Sequence, residues 1–217
     1  MGRKLMPLAG ILAVVMVLGS FLVAGDPPDV DAPVGEVVEF YADNDSEQQF
    51  SALMLIWGAI LFMLFATSLR SALRRAESYS GGVSALSYAG AIIFAVGLTL
   101  FAAIAFALGD AAGTAGNLEP AAVQTLHVMN EDFFFPAAAG VGTFLLGTGI
   151  ALAKTAVMPK WLGWIAIGFG LLAFTPVGFV SLAVLGLLVI VLAVMLAMRP
   201  GDDVADRPNE GATAPPA

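Results

Sequence analysis

No cysteine occurs in these 217 residues, and histidine occurs once. The first absence excludes disulfides, thiolate metal sites and cysteine nucleophiles. The second excludes a multi-histidine hydrolase centre and the paired axial ligands of a membrane b-type haem, so no cofactor is expected. Charge is scarce as well: 12% of residues are Asp, Glu, Lys or Arg and 59% are hydrophobic, where a soluble domain carries about 25% charged residues. Long windows hold no charge at all. A charged side chain at mid-bilayer costs about 2.5–3.5 kcal/mol on insertion scales, so lipid is the natural solvent for such windows. The net charge of −8 excludes a nucleic-acid partner, whose phosphates demand a basic footprint.

The nine basic residues fall into four groups: Arg3 and Lys4; Arg70, Arg74 and Arg75; Lys154 and Lys160; Arg199 and Arg207. Between successive groups the apolar stretches cross a membrane an even number of times, which puts every cation on one side, the positive-inside signature. The expected fold is an all-α polytopic membrane helix bundle with six transmembrane helices and both termini cytoplasmic. Its spans are expected at about 5–24, 51–69, 86–108, 133–153, 161–175 and 178–198. The first could instead be read as a cleaved signal peptide, with Val23-Ala24-Gly25 at the cut. Its twenty-residue apolar run exceeds the usual h-region of about 7–15 residues, which favours a retained helix. The charge-free stretch 161–198 would be about 57 Å long as one helix, nearly twice a hydrocarbon core. It must therefore break, and Thr175-Pro176 with Gly178 supplies the break.

Two acidic segments lie on the other side. Segment 25–50 carries Asp26, Asp29, Asp31, Glu36, Glu39, Asp43, Asp45 and Glu47, and segment 109–132 carries Asp110, Glu119, Glu131 and Asp132, neither with a Lys or Arg. Within the first, Val34 to Ala42 alternates apolar and acidic residues as a short interfacial helix would, with Val37, Val38 and Tyr41 facing the lipid or the bundle. Residues 200–217 are rich in Pro, Gly and Asp and too poor in apolar residues to fold. The triplet Asn44-Asp45-Ser46 fits a glycosylation acceptor. The Lys-poor, Ala/Gly/Val-rich composition points to a bacterium, where that triplet carries no meaning.

His127, Glu131 and Asp132 form the one cluster with ligand-like chemistry, His127 and Glu131 sharing a helix face at i, i+4. They are the candidate metal ligands; a solvated helix end is the plainer reading. No catalytic residue is identified. Small residues step along the third span at Ser87, Ala91, Ala95, Thr99, Ala103 and Ala107, and along the fourth at Ala139, Thr143, Gly147 and Ala151. Such ladders let helix backbones approach in lipid. They are expected to pack within the chain, with a homo-oligomer or a membrane partner as the alternative. Gly140, Gly142, Gly147 and Gly149 are read as a helical, glycine-rich span rather than an unwound path.

The outer stretch Gly35-Glu36-Val37-Val38-Glu39-Phe40-Tyr41-Ala42-Asp43-Asn44 and the cytoplasmic Pro159-Lys160-Trp161-Leu162-Gly163-Trp164 resemble small uncharacterised multi-pass membrane proteins of actinobacteria, over most of residues 5–199. The resemblance implies a bacterial plasma-membrane location, and it assigns no activity and no functional residue. The leading functional reading is a non-enzymatic plasma-membrane protein whose acidic extracytoplasmic face binds a partner or cations. The alternatives are a small-solute transporter or pore without ion coupling, and an enzyme using outer-face His and carboxylate groups.

Overall fold

A computed structural model describes residues 2–77, 81–114, 119–132, 134–155 and 158–198; the expected tail 200–217 lies outside them. The described residues form eight helices and no strand: α1 Gly2–Ala24, α2 Val34–Asp43, α3 Asp45–Ala76, α4 Gly82–Thr114, α5 Pro120–Asp132, α6 Phe134–Lys154, α7 Lys160–Leu172 and α8 Phe179–Ala197. The protein is all-α. Five stretches are long and apolar enough to cross a membrane: Leu5–Ala24, Asp45–Ala76, Gly82–Ala112, Pro120–Lys154 (α5 with α6) and Phe179–Ala197. This is the architecture of a membrane-embedded bundle.

Helices α1, α3, α4, α6 and α7 pack in that order, and α8 lies against α1 and reaches α6 and α7. Glycine decides how closely the middle of this series approaches. On α6, Gly140 and Gly147 face α4, while Gly142 and Gly149 face α7. Two residues are about 200° of helix, so the two glycine pairs occupy opposite faces. On the α4 side the fit is reciprocal: Gly90 lies under the backbone of Phe144, and Gly140 under the backbone of Phe94. Gly97 faces Ala137 and Gly147 faces Ser87 in the same seam. On the α7 side a Cβ at Gly149 would stand 2.7 Å from the Gly163 carbonyl oxygen, and one at Gly170 would stand 2.9 Å from the Leu146 nitrogen. These glycines remain helical, and each is occupied by a neighbouring backbone, the packing that lipid-embedded helices rely on.

The small-residue ladder of α4 follows this seam only part of the way. Ser87, Ala91 and Ala95 are buried, but Thr99, Ala103 and Ala107 are exposed. Four residues advance about 40° past a full turn, so a strict i+4 ladder winds off the contact face within three steps. The buried line continues instead from Ala95 through Leu98, Ala102, Ala105 and Leu108, in steps of three or four residues.

The stretch expected as the fifth span, 161–175, gives regular helix only to Leu172. Thirteen residues reach about 20 Å, short of the roughly 30 Å hydrocarbon layer. The chain then turns through three-residue hydrogen bonds, Thr175 N–H to Leu172 O at 3.0 Å and Gly178 N–H to Thr175 O at 2.8 Å among them. Such turns satisfy the backbone without water, a requirement at membrane depth. The Ser181 hydroxyl adds a 2.8 Å bond to the Phe169 carbonyl, tying the start of α8 to α7. At the hairpin tip the Phe174 ring packs on Gly142, twelve residues or about 18 Å along α6 from Lys154. A break was legible at Thr175-Pro176; its depth, set by the pairing with α6, was not.

Most span hydroxyls bond within the bundle. Thr67, Thr99, Thr143 and Thr175 donate to carbonyls three or four residues back. Ser87 Oγ and Thr148 Oγ1 bond across the α4–α6 seam at 2.7 Å. A double-mutant cycle with Ser87→Ala and Thr148→Val, read by thermal unfolding in detergent, should give a coupling of about 0.6 kcal/mol, typical for membrane interhelical bonds. A coupling of zero would show that the bond does not help hold the seam. A cavity of about 40 Å³ lies between α1, α3, α4 and α8, lined by apolar side chains that include Val17, Phe62, Phe94 and Leu185.

Candidate functional site at the acidic end

The two ends of the bundle carry opposite charge. The Gln48 amide donates to the Ala24 carbonyl at 2.7 Å, joining the end of α1 to the start of α3. Gly109, near the end of α4, packs on the Asp45 carbonyl. Over this end lie α2 and α5. Asp26, Asp29, Asp31, Glu36, Glu39, Asp43, Glu47, Asp110, Glu119 and Asp132 are exposed here, and the sequence places no Lys or Arg in these segments. At the opposite end stand Arg70, Arg74, Arg75, Lys154 and Lys160, with Glu77.

Helix α2 begins directly after Pro33, whose extended backbone (φ −55°, ψ 137°) starts the turn. Glu36 in its first turn suits the positive end of the helix dipole. Val37 and Tyr41, one turn apart, are 0% and 1% exposed and pack with Leu108 of α4 and Val123 of α5. This small core is separate from that of the membrane bundle. With that face turned inward, Glu36, Glu39 and Asp43 share the outward face at spacings of three and four.

His127 is 0% exposed and holds the cap together. Its Nε2 lies 3.1 Å from the Pro28 carbonyl oxygen and its Nδ1 lies 3.0 Å from the Tyr41 hydroxyl. The Pro28 carbonyl can only accept, so Nε2 carries a hydrogen and donates to it, while Nδ1 and the Tyr41 hydroxyl share the second bond. The two rings meet nearly edge to face, centroids 5.8 Å apart. One turn earlier on α5 the Gln124 amide donates to the Val30 carbonyl at 3.0 Å. Two α5 side chains thus pin the proline-rich segment that enters α2.

Of the three candidate metal ligands, His127 points inward with both ring nitrogens engaged, so ligation would first have to break one of these bonds. Asp132 is exposed, and the side chain of Glu131 lies outside the described residues. Among the described residues no group of three or more His, Cys, Asp or Glu side chains could hold a metal ion. The sequence reading missed the Tyr41–His127 pair. Its signal was present: Val123, Leu126, His127 and Asn130 repeat at i, i+3, i+4, i+7, which makes them one inward face of a helix rather than a solvated end. Gln124 Oε1 and Asn130 Oδ1 are buried without a hydrogen-bond partner. Both are acceptors, as the carboxylates are, so this end of the molecule is rich in acceptors and short of donors.

No curated protein and no solved structure matches the chain significantly. The family model described as "Domain of unknown function (DUF4386)" matches residues 5–200, nearly the whole of it. The apolar helical bundle with its docked cap is therefore that of a membrane protein, and the chain belongs to the DUF4386 family.

Proposed function

We propose that this protein sits in a bacterial plasma membrane with six apolar helices in the bilayer, α7 and α8 as a hairpin, and both termini cytoplasmic. Its role is to present the acidic cap outside the cell to a cationic polypeptide. The carrying observation is the amphipathic docking of α2: burial of Val37 and Tyr41 holds Glu36, Glu39 and Asp43 as an exposed stripe. A fixed row of carboxylates loses little side-chain and backbone freedom on binding and steers a basic partner from a distance. The orientation is supported by the cations at the opposite end and by Trp161 and Trp164, both exposed there at the start of α7, where interfacial tryptophans anchor a membrane protein.

Passage of a polar solute finds less support, since the cavity between α1, α3, α4 and α8 has an apolar lining and Ser20, Thr67, Ser87, Thr99, Thr143, Thr148, Thr175 and Ser181 bond to helix carbonyls or to each other. Catalysis at His127 finds little, because both its nitrogens are committed to structure.

The test uses the full-length protein in nanodiscs of zwitterionic lipid, titrated with an oligolysine peptide. The wild type should bind with strong salt dependence, and the triple variant Glu36→Gln, Glu39→Gln, Asp43→Asn should bind about tenfold more weakly, a loss of about 1.4 kcal/mol. Equal binding by wild type and variant would remove the α2 stripe from the account.

A further inference from the structure

The basic end carries a more specific arrangement than topology requires. Arg70, in the last two turns of α3, is half-buried, and its guanidinium carbon lies 4.7 Å from the centroid of the Tyr88 ring on α4. Among the described residues no carboxylate pairs with it. Glu77, the acid at this end among the described residues, is engaged: the Ser84 backbone N–H donates to one of its oxygens at 2.8 Å and the Ser84 hydroxyl to the other at 3.0 Å, which caps the start of α4. Arg74 follows Arg70 by one turn on the same face, and its side chain runs past Gly81 at the entry to α4. Two guanidinium groups therefore line the α3–α4 junction, one held against an aromatic face and, among the described residues, neither in an ion pair.

Depth identifies what they meet. From Gln48 to Arg70 is twenty-two residues, about 33 Å of helix, against a hydrocarbon layer of about 30 Å. Arg70 thus lies where lipid phosphates lie. We propose that Arg70 and Arg74 bind the phosphodiester headgroup of an anionic phospholipid in the adjoining leaflet. A guanidinium offers a planar fork that matches two phosphate oxygens. Contact with the Tyr88 ring restrains the Arg70 guanidinium before the lipid arrives, and among the described residues no hydrogen bond occupies its N–H groups. A zwitterionic lipid brings its own cation to the same place and is disfavoured. This site concerns the basic end alone and stands or falls separately from partner binding at the acidic cap.

Native mass spectrometry of the intact chain released from detergent tests it, with phosphatidylglycerol or phosphatidylcholine of identical acyl chains as the probe. Phosphatidylglycerol adducts should exceed phosphatidylcholine adducts by about tenfold, the ratio one charge-assisted contact supplies. Arg70→Lys keeps the charge needed for insertion but loses the fork, and the preference should fall several-fold. Tyr88→Leu should do the same, while Tyr88→Phe keeps the ring and the preference. Equal adducts of the two lipids in the wild type would overturn the proposal. An unchanged preference in Arg70→Lys, or an equal fall in Lys160→Gln, would also overturn it by showing only diffuse charge. Displacement of the lipid by millimolar inorganic phosphate would overturn the lipid assignment in favour of a free-anion site.

Discussion

Gly140→Leu should leave no properly folded protein, and Gly140→Ala should lower the unfolding temperature by about 6–12 °C. A Cβ at position 140 would fall onto the amide nitrogen of Phe94 and stand 2.5 Å from its Cα, so the obstacle is backbone and cannot rotate away. Helices α4 and α6 would have to separate along the seam that runs through Gly90, Gly97, Gly140 and Gly147. In lipid, where hydrophobic burial does not drive helices together, that contact is the main source of cohesion. Overpacking of this kind costs about 3 kcal/mol, and about 2–4 °C of melting temperature goes with each kcal/mol in a chain of this size. Gly168 is the control. It lies in α7 with nothing within 4 Å of an added Cβ, so Gly168→Ala should match or slightly exceed the wild type. Size-exclusion profiles and thermal unfolding in detergent read both. Equal stability of the position-140 and position-168 alanine variants would refute the close backbone contact.

His127→Phe should release the cap while leaving the bundle intact. Phenylalanine nearly preserves the ring volume but removes the donor to Pro28 and a partner of the Tyr41 hydroxyl. Each hydrogen bond so lost costs about 1–2 kcal/mol. A total of about 2–4 kcal/mol corresponds to a 30- to 1,000-fold rise in amide exchange over residues 26–43. Gln124→Leu removes the single donation to Val30 and should raise exchange only a few-fold in residues 28–33. The α6 amides and those of α4 up to Phe101 should be unchanged in both variants, because the cap core of Val37, Tyr41, Leu108 and Val123 meets α4 only near its end. Exchange in 26–43 that stays at its wild-type rate in His127→Phe would show that the histidine does not hold the cap.

The all-helical class was legible because charge-free windows and period-3.6 patterns are properties of the sequence itself. The amphipathic α2 could be read from its alternation of Val37, Val38 and Tyr41 with Glu36 and Glu39. Three features were not legible, each for a physical reason. The α4–α6 seam follows steps of three or four residues, so a strict fourfold ladder led to Thr99 and Ala103, which face outward. The depth of the α7–α8 tip depends on Gly142 receiving Phe174, a contact between helices that no local pattern encodes. The burial of His127 depends on Pro28 and Tyr41, ninety-nine and eighty-six residues away. A sequence scan for ligand spacing sees Glu131 four residues on and misses both.

The central claim is that the bundle crosses the membrane with its acidic cap outside and its basic end inside. The native chain has no cysteine, so single cysteines report without background. Ser46 is exposed at the acidic end and Ser71 at the basic end. In intact cells a membrane-impermeant maleimide should label Ser46→Cys and leave Ser71→Cys unlabelled until the cells are permeabilised. Labelling of Ser71→Cys in intact cells, or protection of Ser46→Cys, would contradict the account.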